Sequence, residues 1–162
     1  MKPLRTTVGI ALAGVALLAP STALAEGPTA KAAAFSFSGK TSQNDGVALR
    51  VASSLRRVDG AIGWKVNCDS GASFNDTTRF RVASGIQNNS VKFAAEDSYG
   101  IRDVAPGLDA IVTVEVTGKI RARTGNGSGT LQVTSRVQDK NGNAVDNCTT
   151  GASPITWRVK QR

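Results

Sequence analysis

The chain has 162 residues, with 20 basic against 12 acidic side chains, a net charge of +8, two cysteines and no histidine. That length suits one domain with a single core. The missing histidine excludes imidazole-activated serine and cysteine nucleophiles and the usual histidine zinc sites.

Residues 1–25 have the pattern of a secretory signal peptide: early charge at Lys2 and Arg5, then twelve residues from Val8 to Ala19 without a polar side chain. The run is too short to span a bilayer, which takes about 20 apolar residues. Pro20 and Ser21 end it, and Ala23-Leu24-Ala25 supplies the small-x-small triplet that predicts cleavage before Glu26 and a secreted, extracellular product. No cysteine follows the run, no second run of membrane length occurs, and Lys160-Gln161-Arg162 form no hydrophobic tail, so no lipid or membrane anchor is expected. Cleavage takes Lys2 and Arg5 away and leaves the mature chain near +6. Residues 26–33 are small and polar with no apolar period and are expected to form a flexible arm. Residues 34–162 form the single domain.

From Phe35 onward the apolar period is two, carried by Val, Ile, Phe and Trp, as in half-buried strands. Phe35 and Phe37 alternate with serines, and Val47, Leu49 and Val51 with Ala48 and Arg50. Ile62, Trp64, Val66 and Cys68 share one parity, which puts the half-cystine in line with core residues. Further strands are expected at 79–82, 90–94, 110–123, 130–137 and 155–159, separated by Gly- and Asn-rich turns that include 125–129 and 139–142. This spacing predicts an all-β fold, an antiparallel β-sandwich of jelly-roll or immunoglobulin-like type with eight or nine strands. Two cysteines in an exported chain predict one disulfide, Cys68–Cys148.

The candidate site residues fall into three groups. Arg79 and Arg81 lie on the parity opposite Phe80 and Val82, and Lys119, Arg121 and Arg123 on the parity opposite Val112, Val114, Val116 and Ile120. They are candidate anion-binding rows on outer strand faces, and whether the rows adjoin is left open by the sequence. Glu96, Asp97, Tyr99 and Arg102 form a polar cluster on an expected loop, a candidate contact site for a ligand or partner. Asp139 to Asp146 alternates oxygen-bearing residues, but its glycine stands at position four and its twelfth position is Thr150, where a calcium loop needs glycine at six and glutamate at twelve. A hairpin turn explains that segment better, and no metal or cofactor is expected. Asn-x-Ser/Thr triplets at Asn75, Asn88, Asn126 and Asn147 are read as chance in an Asn- and Thr-rich chain.

Trp64-Lys65-Val66-Asn67-Cys68-Asp69-Ser70-Gly71, followed by Asp146-Asn147-Cys148-Thr149-Thr150-Gly151 and Trp157, resembles a pattern in small secreted β-sandwich proteins of high-GC Gram-positive bacteria. The resemblance implies a secreted sandwich and carries over no catalytic or binding residue. An immunoglobulin domain, with its Trp between the two cysteines, matches less well. The functional expectation is a secreted, non-enzymatic binding or structural module. Its expected partner is an anionic cell-surface polymer or another extracellular protein, and nucleic acid is not expected. Two alternatives are a carbohydrate-active domain using carboxylates such as Glu96 and Glu115, and an inhibitor or effector docking through residues 98–106.

Overall fold

The computed structural model describes residues 34–121 and 123–162; the expected signal peptide and arm lie outside the described residues. Ten strands make up the domain: β1 (Phe35–Thr41), β2 (Gly46–Val51), β3 (Arg57–Cys68), β4 (Ser73–Ala83), β5 (Gly85–Gln87), β6 (Ser90–Ala105), β7 (Leu108–Arg121), β8 (Asn126–Asp139), β9 (Ala144–Thr149) and β10 (Ile155–Gln161). All pairings are antiparallel, in the order β10-β1-β2-β3-β9-β8-β7-β6-β5, with β4 on the other edge of β3. The expected all-β antiparallel class is present. No helix among the described residues is long and apolar enough to cross a membrane.

A second pairing, β10 with β8, closes β3-β2-β1-β10-β8-β9 into a hydrogen-bonded ring. Closure works because β9 and β10 lie end to end along one edge of β8: β9 takes residues 134–138 and β10 takes 126–131. Strand alternation then sends one parity of every strand to a common interior. Val47, Leu49, Val51, Ile62, Trp64, Val66, Val112, Val114, Val116, Leu131, Val133, Trp157 and Val159 all meet there, as their period of two predicts. Each such buried side chain contributes about 1.5–3 kcal/mol. Across the gap between β4 and β6, Phe80 stacks on Phe93 with ring centroids 5.8 Å apart, and Phe93 on Trp157 at 6.1 Å.

Strands β5 and β9 were not among those expected, because three residues of Gly85–Gln87 and the polar run Ala144–Thr149 carry no alternating apolar signal. Residues 98–106 are largely strand, not loop: β6 runs to Ala105 because β7 supplies a partner at every residue to Ile101 and resumes at Ala105 after an irregularity. Residues 126–129, expected as a turn, open β8 between β7 and β10. Arg123, expected on a strand, lies in the turn beyond β7, where the Thr124 amide donates to the Arg121 carbonyl at 3.2 Å and Gly125 takes φ of +61°.

Candidate functional site

Cys68 and Cys148 are bonded, and they are register partners of β3 and β9. Beside them Asp146 accepts hydrogen bonds from the Ser70 hydroxyl, the Ser70 amide (3.4 Å) and the Asn147 amide (2.9 Å). The Ser70 hydroxyl bond, with these backbone donors, holds the Asp146 carboxyl below its usual range. Cys68, Asp146 and Cys148 are close enough to frame a metal, but the disulfide leaves neither sulfur free as a thiolate ligand.

The basic residues are organised by register. Arg79 on β4 pairs with Ala61 on β3, which pairs with Ala48 on β2, then Ser38 on β1, Lys160 on β10, Asn126 on β8 and Arg121 on β7. The two rows suspected from parity are therefore ends of one row on one outer face. A flanking row runs Lys92, Lys119, Ser128, Arg158, Lys40. On the other side Ser36, Arg50, Asp59 and Arg81 are in register, and Arg162 reaches this row through its amide to the Ser36 carbonyl at 3.0 Å and its Nε to Ser38 Oγ at 2.7 Å. Asp59 is the one carboxylate on the three rows among the described residues, and it is held by Arg81 at 2.6 Å and Arg57 at 3.5 Å.

Small residues on the middle row leave two depressions that meet at β1. One, of about 590 Å³, is lined by Ser38, Lys119, Arg121, Ser128, Arg158 and Lys160. The other, of about 700 Å³, is lined by Ser36, Ala48, Arg50, Asp59, Arg79, Arg81 and Arg162. The charge reverses along the strands. Two residues from Lys92 and Lys119 the face is Ala94, Thr117 and Thr130; two further it is Glu96, Glu115 and Gln132. The end beyond holds Asp69, Asp103, Asp109, Asp139 and Asp146 together with Arg102, Arg136 and Lys140, which pairs with Asp103 and Asp109. The closed sheet therefore has a basic half, where cations predominate, and an acidic half, where carboxylates outnumber cations.

The cluster expected on a loop is dispersed. Glu96 faces outward and pairs with Glu115, both exposed, and neither lines any of the cavities described here. Tyr99 turns inward to close the β4–β6 gap: Trp64 Nε1 donates to Thr78 Oγ1 (3.4 Å), Thr78 meets the Tyr99 hydroxyl (3.0 Å), and Tyr99 donates to Asp76 (3.1 Å). Burial raises the Tyr99 phenol above its usual range, and the neighbouring Asp76 charge adds to this. Asp97 shares a recess of about 360 Å³ with Asp76, Thr77, Arg79 and Tyr99, and Arg102 is exposed farther along β6.

In the Asp139–Asp146 segment the Asp139 carboxylate accepts from the Asn141 amide (2.8 Å), the Asn143 amide (2.9 Å) and Asn143 Nδ2 (2.9 Å). Its oxygens are used in forming the turn, and Asn143 above all holds its carboxyl low.

Arg50, Lys92, Arg158, Lys160 and Arg162 were not among the expected site residues. A signal for four of them was available: Arg50 alternates with Leu49 and Val51, Lys92 with Val91 and Phe93, and Arg158 and Lys160 with Trp157 and Val159. No family model, curated protein or solved structure matches the chain.

Proposed function

We propose that this chain is a secreted, non-enzymatic binding module that attaches to an anionic cell-surface polymer through the basic half of its barrel. The observation that carries the reading is the single register from Arg121 to Arg79, flanked on both sides by further cations with one carboxylate among them. An array of exposed guanidinium and ammonium groups on an open, curved surface attracts a polyanion by displacing its counterions, which needs no enclosed pocket. The disulfide suits an oxidising, extracellular setting. The paired Glu96 and Glu115 stand on an open strand face, with none of the cleft that glycoside hydrolysis requires, which favours binding over catalysis.

Co-sedimentation of the protein with isolated anionic cell walls over a salt series tests the proposal. If about six cations are engaged, the logarithm of the binding constant falls with the logarithm of salt concentration with a slope of about −4. Arg121→Glu with Arg158→Glu abolishes binding at moderate salt, and Arg136→Glu at the acidic half leaves it nearly unchanged. Binding that ignores salt, or equal loss from both charge reversals, overturns the proposal.

A further inference from the structure

Building on that reading, we infer that the ligand is a thin polyphosphodiester chain without planar bases, and that it crosses the strands along the trough from Arg121 to Arg79. The trough floor is made of Ser38, Ala48 and Ala61, whose short side chains stand in register on three neighbouring strands. Cations rise on both sides of that floor, with Arg158 and Lys40 along one wall before it drops to Gly46, and Arg50 and Arg162 along the other, where Asp59 also stands but is neutralised by Arg81 and Arg57. From β7 to β4 the row takes six interstrand steps, a path of about 29 Å along the curved sheet at the usual strand spacing.

Cations on both walls require a ligand that presents negative charge to two sides at once. A phosphodiester does so, because its charge lies in the chain itself and its two free oxygens can be taken by opposite guanidinium groups. A polymer of sugar rings or bases would want an aromatic surface to stack on. No aromatic residue stands on the three rows: all eight aromatic side chains lie in the core or pack against it, among them Phe37 and half-buried Phe80, which border the second depression from the inner parity of their strands. Serine hydroxyls at Ser36, Ser38 and Ser128 suit the polyol units between phosphates. Polyol phosphate polymers have this chemistry.

The probe is a set of synthetic glycerol-phosphate oligomers of graded length, titrated at fixed moderate salt, with polyglutamate and oligodeoxythymidylate as comparators. Affinity is expected to climb with length until the oligomer spans about 29 Å and then to level off, with both comparators weaker at equal charge. Ala48→Asp places one carboxylate in the middle of the floor and should weaken the longest oligomer about tenfold. Ser98→Asp makes the same change in net charge on the outer face of β6 in the acidic half and should leave affinity within about twofold. Near-parental melting temperatures for both variants show that the fold is kept.

The outcomes separate the two claims. Cell walls bound but every oligomer ignored, or oligodeoxythymidylate preferred, overturns the ligand class alone. Oligomers bound without length dependence, or weakened equally by Ala48→Asp and Ser98→Asp, overturn the path. Failure of walls and oligomers together overturns the binding reading beneath both.

Discussion

Replacing Gly118 by alanine should cost about 3 kcal/mol, because this position is filled by its neighbours. Gly118 and Gly129 are register partners on β7 and β8, and Gly129 is in turn the partner of Trp157 on β10. The indole lies over this glycine pair. A Cβ at Gly118 would sit 2.2 Å from Phe93 Cζ and 2.7 Å from Trp157 Cζ2, and one at Gly129 would sit 1.9 Å from the Thr117 carbonyl oxygen. Neither ring can withdraw freely, since Phe93 is stacked between Phe80 and Trp157. Overpacking in such a site costs about 1–3 kcal/mol, and the absence of a free direction puts Gly118→Ala at the upper end. For a domain of this size that is a fall in melting temperature of roughly 10 °C. Gly46→Ala is the control: nothing lies within 4 Å of its added methyl, so it should be neutral or stabilise by about 0.4–1 kcal/mol. Urea unfolding followed by tryptophan fluorescence measures both, and Gly118→Ala in a Phe93→Leu background should recover part of the loss, because the colliding Cζ is gone. A difference below about 1 kcal/mol between Gly118→Ala and Gly46→Ala would refute the packing argument. The consequence reaches the basic face, since Lys119, Ser128 and Arg158 follow Gly118, precede Gly129 and follow Trp157 on the same three strands.

Reduction of Cys68–Cys148, or the double change to serine, releases a constraint across a sequence separation of 80 and should cost about 4–5 kcal/mol in the chain-entropy model, read as a lower urea midpoint. Free-thiol titration of the oxidised protein should find none, and two reactive thiols without denaturant would contradict the bond. In acid, Asp146 is held below its ordinary 3.8 in the fold by Ser70. Its contribution is therefore complete above that value and is lost as pH falls through and below it, and Asp146→Asn should flatten the acid limb of melting temperature against pH. Asp109, held low chiefly by Lys140, and Asp139 act with the same sign. Spectrophotometric titration should show Tyr99 ionising above 10, and stability should decline as pH rises from 10 toward that point. Tyr99→Phe should abolish the late titration and leave Asp76 and Thr78 without their shared partner; an ordinary tyrosine titration in the parent would contradict the buried network.

Much of the fold was legible because strand alternation is a local property. Whether Val112 and Lys119 face opposite ways depends only on seven residues of extended chain, so the parity of β2, β3 and β7 could be read directly and the core residues named from it. The extent of a strand was less legible. Glu96 to Ile101 and Asn126 to Gly129 look polar or flexible by composition, yet both are strand because a partner lies alongside at every residue, and pairing overrides propensity. Arg123 erred in the other direction: alternation continued on paper past the residue where the backbone turned.

The sequence by itself determined the all-β class, the inward and outward face of most strands, the cysteine pair and the excess of positive charge. Each of these follows from residue type, from neighbours a few positions apart, or from there being two cysteines. Only the tertiary structure decided that Arg79 and Arg121 stand in one row. That row needs β10 between β1 and β8, a pairing between residues more than a hundred positions from Phe37 to Gln161, and long-range pairing leaves no periodic trace in the chain. The register of the β6–β7 hairpin, separate from that closure, set Lys92 beside Lys119 and Glu96 beside Glu115 and so sorted the charges along those strands.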